Sequence, residues 1–163
     1  MKLISGGQTG VDRAALDVAI ERAMPWGGWC PKGGWAEDLP EPPGLLSRYP
    51  HLKETPQSHP LQRTEWNVRD SDATLIIVDD HGLAASIGTQ RAREWAHKHG
   101  KPMLVVDAGA PDAPDRAAAW LHTQKQRFGA HMALGVGGPR ESEAPGIYAK
   151  ARIFVAAVLD RLP

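Results

Sequence analysis

The residues best suited to chemistry near the start of the chain are Ser5, Gly6, Gly7, Gln8, Thr9 and Gly10, which run from a short apolar segment into Val11, Asp12 and Arg13. Glycine admits a close ligand and a positive φ, and the free N–H groups at the start of a helix favour an anion. A phosphate cradle is one reading. A structural tight turn is the other, because the segment fits neither the G-x-G-x-x-G fingerprint nor the G-x-x-x-x-G-K-[ST] pattern. A second turn of the same kind, from Ala84 through Ser86, Ile87, Gly88 and Thr89 to Arg91, opens another helical stretch. Gly88 and Thr89 could offer backbone and hydroxyl donors to a second anionic group with Arg91 as charge partner, or Thr89 could simply cap the helix. A third segment, Arg63-Thr64-Glu65-Trp66-Asn67-Val68-Arg69-Asp70-Ser71-Asp72, is dense in hydrogen-bonding side chains. It reads as a helix with solvated charges or as a ligand-facing rim.

Other candidates carry less. Asp79-Asp80-His81 follows an apolar run, where a carboxylate could bind magnesium or a ribose hydroxyl, yet the same residues make an ordinary turn. His97 and His99 lack a partner set with ligand spacing and fall late on a helix, where imidazole complements the dipole. No metal site is expected. Cys30, the one cysteine, reads as a small buried hydrophobe and cannot form an internal bridge.

The elements that must position these residues alternate between short apolar runs and helical stretches, as a parallel sheet with crossover helices demands. Strands are predicted near 2–5, 28–30, 74–78, 103–107 and 132–136, continuous in apolar character because helices cover both faces. Val11, Ala14, Ala15, Val18 and Ala19 give one helix its apolar stripe, with Asp12, Arg13 and Asp17 on its polar back. Further helices are predicted from about Thr89 to His99, from near Asp115, and from Ile147 to Leu162. Between about 25 and 61 the periodicity is lost among prolines, glycines and three tryptophans, Trp26, Trp29 and Trp35. That excursion reads as a lid over the ligand edge, as irregular surface, or as a protein interface.

At 163 residues, with 19 Lys and Arg against 19 Asp and Glu, the chain fits a single domain over 1–163 with no net charge to attract polyanions. Nucleic acid and membranes are therefore not expected partners. No run approaches the ~20 apolar residues of a membrane span, and no signal peptide precedes Gly6, so a cytoplasmic home is expected.

Taken together, the glycine segments, Gly28-Trp29-Cys30-Pro31-Lys32-Gly33 with Ala36-Glu37-Asp38, Lys53-Glu54-Thr55, the Arg63–Asp72 segment and Gly137-Gly138-Pro139-Arg140-Glu141-Ser142 resemble one family over nearly the whole length. This is the molybdenum cofactor carrier family, a circularly permuted branch of the SLOG superfamily of Rossmann-like nucleotide-binding domains. The resemblance implies a three-layer α/β fold with a mostly parallel sheet of about five or more strands flanked by helices. It implies a small anionic, phosphorylated ligand, molybdenum cofactor as cargo or a nucleotide derivative, bound by a homo-oligomer, dimer or tetramer. Arg13, Lys32, Arg63 and Arg140 become candidate charge partners for that ligand. Superfamily relatives also include phosphoribohydrolases with P-G-G-x-G-T-x-x-E. Here Ala85 and Ser86 replace two glycines, and Ala92 stands where the glutamate would, so that activity would need Glu65, Asp79 or Glu94 as substitute carboxylate.

Overall fold

The computed structural model describes residues 1–80 and 82–162, so His81 of the Asp79-Asp80-His81 turn lies outside the described residues. Six strands, β1 (Lys2–Ile4), β2 (Trp26–Cys30), β3 (Leu52–Glu54), β4 (Ala73–Val78), β5 (Met103–Asp107) and β6 (Ala133–Gly137), form one sheet. Its order is β3-β2-β1-β6-β4-β5, and every pairing is parallel. Six α-helices flank it: α1 (Val11–Glu21), α2 (Leu45–Arg48), α3 (Pro60–Arg69), α4 (Ile87–Lys98), α5 (Ala113–Phe128) and α6 (Ile147–Asp160). The architecture is the three-layer Rossmann-like sandwich. No described helix is long and apolar enough to cross a membrane.

Strand periodicity divides the core between the two faces. Leu75 and Ile77 of β4 join Leu3, Leu134 and Val136 under α1, α5 and α6, while Ile76 and Val78 pack with Val68 of α3 and Ala92 and Ala96 of α4. On β6 the residues that alternate with Leu134 and Val136 are Gly135 and Gly137. Beyond Ala133, the side of β6 that faces α3 and α4 therefore carries no side chains of its own, with Ser71 reaching over Gly135, and a void remains beneath that layer.

The stretch from 25 to 61 is more regular than its composition predicts, since it contains β2, α2 and β3. Gly28, at φ 142°, bends β2 against β1, where a Cβ would stand 2.1 Å from the Ser5 carbonyl. The Asn67 side chain accepts from Trp29 N at 2.8 Å and donates to Trp29 O at 2.9 Å, which ties β2 to α3 in place of a strand partner. The three tryptophans go different ways. Trp26 stacks on His51 and meets Tyr49 edge-on, Trp29 meets Trp66 edge-on, and Trp35 alone among them reaches the void over β6.

Candidate functional site

The void is a cavity of about 510 Å³ between the sheet and the α3–α4 layer, within the range of small-ligand sites. It lies where the chain order reverses, since β1 is followed by β2 and β3 on one side and the chain then crosses to β4 on the other. Open α/β sheets bind their ligands at such a switch point. Gly135, Gly137 and Ile76 form its floor, Ile4, Val68 and Ala92 its apolar walls, and Trp35 and Pro60 its rim.

The first glycine turn enters this site differently from an open cradle. The Asp12 carboxylate accepts a hydrogen bond from Arg63 Nη1 at 2.5 Å and faces the backbone amides of Gly6 and Gly138, which favour its charged form. Thr9 N donates to Gln8 Oε1, and Val11 N donates to Pro139 O. The chain thus supplies its own anion, Asp12, to the donors that a phosphate would use. Gly6 makes room for this pair, because a Cβ there would stand 2.0 Å from Arg63 Nη1. Burial raises the Asp12 carboxyl above its ordinary 3.8, against the opposing pull of Arg63 and the two amides. Asp12 and Arg13, expected on the polar back of α1, are both buried.

The second turn is different. Ser86, not Thr89, caps α4, its Oγ accepting from Thr89 N at 3.2 Å. Among the described residues the N–H groups of Ile87 and Gly88, ahead of that bond, have no partner. Thr89 is 3% exposed, lines the cavity, and its Oγ1 is buried without a hydrogen-bond partner. A buried hydroxyl costs free energy until something bonds it. Gly88 also lines the cavity, and Ile87 is 70% exposed at its margin.

Of the predicted binding residues the structure brings Gly6, Gln8, Arg63, Gly88, Thr89 and Arg140 together around the cavity. The others go elsewhere. Ser5 Oγ donates to Val136 O, Gly7 (φ 72°) faces Leu16, Leu45 and Leu52, and Gly10 (φ 75°) is pressed against Pro139 O. Thr9 bonds Glu37 through its hydroxyl. Arg13 makes a two-pronged contact with Asp38 at 2.8 and 2.9 Å and a third with Gly7 O. Lys32 lines a separate recess of about 390 Å³ that shares Trp35 and Pro60 with the cavity rim.

The substitute carboxylates are also placed away from it. Glu65 lies 3.7 Å from His99, Glu94 pairs with Arg91 on the surface, and Asp79 is buried beyond the end of β4. The carboxylates that line the cavity are Asp12 and Glu143 instead. Glu143 accepts from Arg140 N at 3.1 Å and lies 3.3 Å from Arg140 Nε, while Glu37 stands 3.7 Å from that same nitrogen. Glu37 also receives Ser142 N and Oγ, which pins the loop after β6 to the segment after β2. The described residues contain no group of three or more His, Cys, Asp and Glu able to hold a metal ion. Sequence reasoning missed Asp12 and Glu143 as cavity residues, and Thr74 with them.

Residues 3–159 match the circularly permutated YpsA SLOG family. A search of curated proteins gave no match. Among solved structures, the "Putative molybdenum carrier protein" of Syntrophus aciditrophicus SB is similar at 38% identity, with 97% of this chain and 94% of that one covered and a TM-score of 0.82.

Proposed function

The chain belongs to the circularly permutated YpsA SLOG family, and from that premise we propose that it binds a small anionic ligand in the cavity beneath α3 and α4 and serves as its carrier. The observation that carries this reading is the buried, unpartnered Thr89 hydroxyl beside the open amides at the start of α4. These donors, with the helix dipole, suit a phosphate or another oxyanion. Arg63 and Arg140 stand at the same cavity with their charges already balanced by Asp12 and by Glu37 and Glu143, so they orient a ligand more than they attract one. The proposed cargo is molybdenum cofactor or a nucleotide-like molecule, each of which joins an anionic group to a planar ring. The similarity to a molybdenum carrier supports the first. Binding without turnover is supported by the engagement of both lining carboxylates in protein hydrogen bonds.

The test is mass spectrometry of small molecules released from freshly purified protein, with elemental analysis for molybdenum and a Gly88→Asp control. A Cβ at Gly88 meets nothing nearer than Ser86 Oγ at 3.7 Å, and aspartate suits the first turn of a helix, so this variant folds. A phosphorylated pterin or nucleotide present in the wild type and absent from the control supports the reading. Release of a free base from a nucleoside monophosphate by the wild type would overturn it in favour of a phosphoribohydrolase.

A further inference from the structure

The cavity holds a second unpartnered hydroxyl at its other end. Thr74 is 3% exposed, lines the cavity, and its Oγ1 is buried without a hydrogen-bond partner. It stands opposite Gly135 in the sheet register, where the missing Cβ would lie 3.2 Å from that oxygen. Thr74 precedes Val78, the last residue of β4, by four positions, which is roughly 13 Å back along the strand from the edge where α4 begins. Between the two threonines one side of the cavity is formed by short and aliphatic residues. Ile76 and Gly137 lie below, with Ser71 over Gly135, and Val68 and Ala92 lie above beside Arg63, Thr64 and Asn67.

A floor of glycine and isoleucine under a roof that includes Val68 and Ala92 suits the two faces of a planar ring, and a polar atom at the far end needs a partner on that ring's edge. We propose that Thr74 is a specificity-determining residue that reads the polar edge of a planar heterocycle, the non-anionic end of the ligand. This rests on the reading that the anionic end docks at Thr89. A hydroxyl donates and accepts, so it can bond either a carbonyl or an amino group on the ring. The hydroxyl sacrifices stability in the free protein and recovers it only with a correct ring in place, which makes it a discriminator.

The test is calorimetric titration of the full chain with ribose 5-phosphate, which has the anion and no ring, and with guanosine 5′-monophosphate, which has both. The variants are Thr74→Val, Thr74→Ser and Thr89→Val. The expected result is a loss of about 2- to 12-fold in affinity for guanosine 5′-monophosphate on Thr74→Val, the worth of one neutral hydrogen bond, with ribose 5-phosphate unaffected. Thr74→Ser keeps the hydroxyl and stays close to wild type, whereas Thr89→Val weakens both probes alike. Thr74→Val without ligand melts no lower than wild type, since valine removes an unpaired hydroxyl at nearly constant shape; a merely structural threonine would lose stability. The proposal is overturned if Thr74→Val binds guanosine 5′-monophosphate as wild type does, loses both probes in equal proportion, or is matched by Thr74→Ser. It is also overturned if the wild type binds the two probes equally, a result that leaves the anion site standing. A wild type that binds neither probe removes the anion site itself, and the ring reading with it.

Discussion

Replacing Arg63 by methionine leaves Asp12 as an unpaired charge next to the cavity. The Asp12 and Arg63 side chains are 8% and 16% exposed and lie 2.5 Å apart, so the pair belongs to the buried class, in which loss of one partner costs about 3–5 kcal/mol. The Gly6 and Gly138 amides still hold the carboxylate, and the neighbouring cavity admits water, which places the cost at the low end, about 3 kcal/mol. At roughly 2–4 °C per kcal/mol for a chain of this size, Tm falls by about 6–12 °C at neutral pH. The sign of the pH dependence follows from burial. Asp12 already sits above 3.8 in the folded protein, and removing Arg63 raises it further. The folded state then holds a proton that the unfolded state has released, so stability falls as pH rises from 3.8 through the elevated folded value. Asp12→Asn in the Arg63→Met background removes the charge, restores most of the loss and flattens the pH dependence. Urea denaturation of wild type, single and double variants at pH 5 and 7.5 measures this. A single variant no less stable, relative to wild type, at pH 7.5 than at pH 5, or a double variant no more stable than the single, refutes the argument.

Adjacent glycines at the end of β6 should behave oppositely. Gly138→Ala puts a Cβ 2.2 Å from Ile77 O and 2.7 Å from Val11 Cγ2 and should cost about 3 kcal/mol, the upper end for overpacking, whereas Gly137→Ala meets nothing nearer than 3.4 Å and should fold normally while filling part of the cavity, as urea midpoints will show. Burial and the nearby Glu54 push the fully buried Cys30 thiol up to about 11, so it should ignore a disulfide reagent at pH 8 and react stoichiometrically once unfolded; native reaction at a free-thiol rate contradicts this. Hydrogen bonds from Arg13 hold Asp38 below its ordinary 3.8, so its contribution is present above 3.8 and lost as pH falls through the depressed folded value. With Asp38 43% exposed, Asp38→Asn should cost no more than about 1 kcal/mol at pH 7, and the gap from wild type should close in acid.

The sheet was legible where apolar character is continuous or periodic. β4 is buried along its whole length, and the stripes of α1 and α6 point into one core. β3 was not legible, because Leu-Lys-Glu at a sheet edge buries one residue of three. α3 looks like a solvated helix because its polar residues dominate, yet Arg63, Thr64 and Asn67 face the cavity. Asp12 and Arg13 look like the outer face of α1 for the same reason. Their partners, Arg63 and Asp38, lie far along the chain, and helical period carries no trace of such pairings. The two glycine turns were visible as a pair, but their difference was not. In one the protein's own carboxylate takes the donors, and in the other a hydroxyl and two amides are left open. The cavity itself is written in β6 as glycine at alternate positions, a signal that reads as strand and shows its meaning only once the facing layer is known.

The central claim is that an anionic group docks at the start of α4 within the cavity. It is tested most directly by titrating ¹⁵N-labelled protein with ribose 5-phosphate and following the backbone amides. The account predicts saturable shifts largest at Ile87, Gly88 and Thr89, abolished by Gly88→Asp. Shifts centred instead on Gly7 to Gly10, with the α4 amides unmoved, would contradict it.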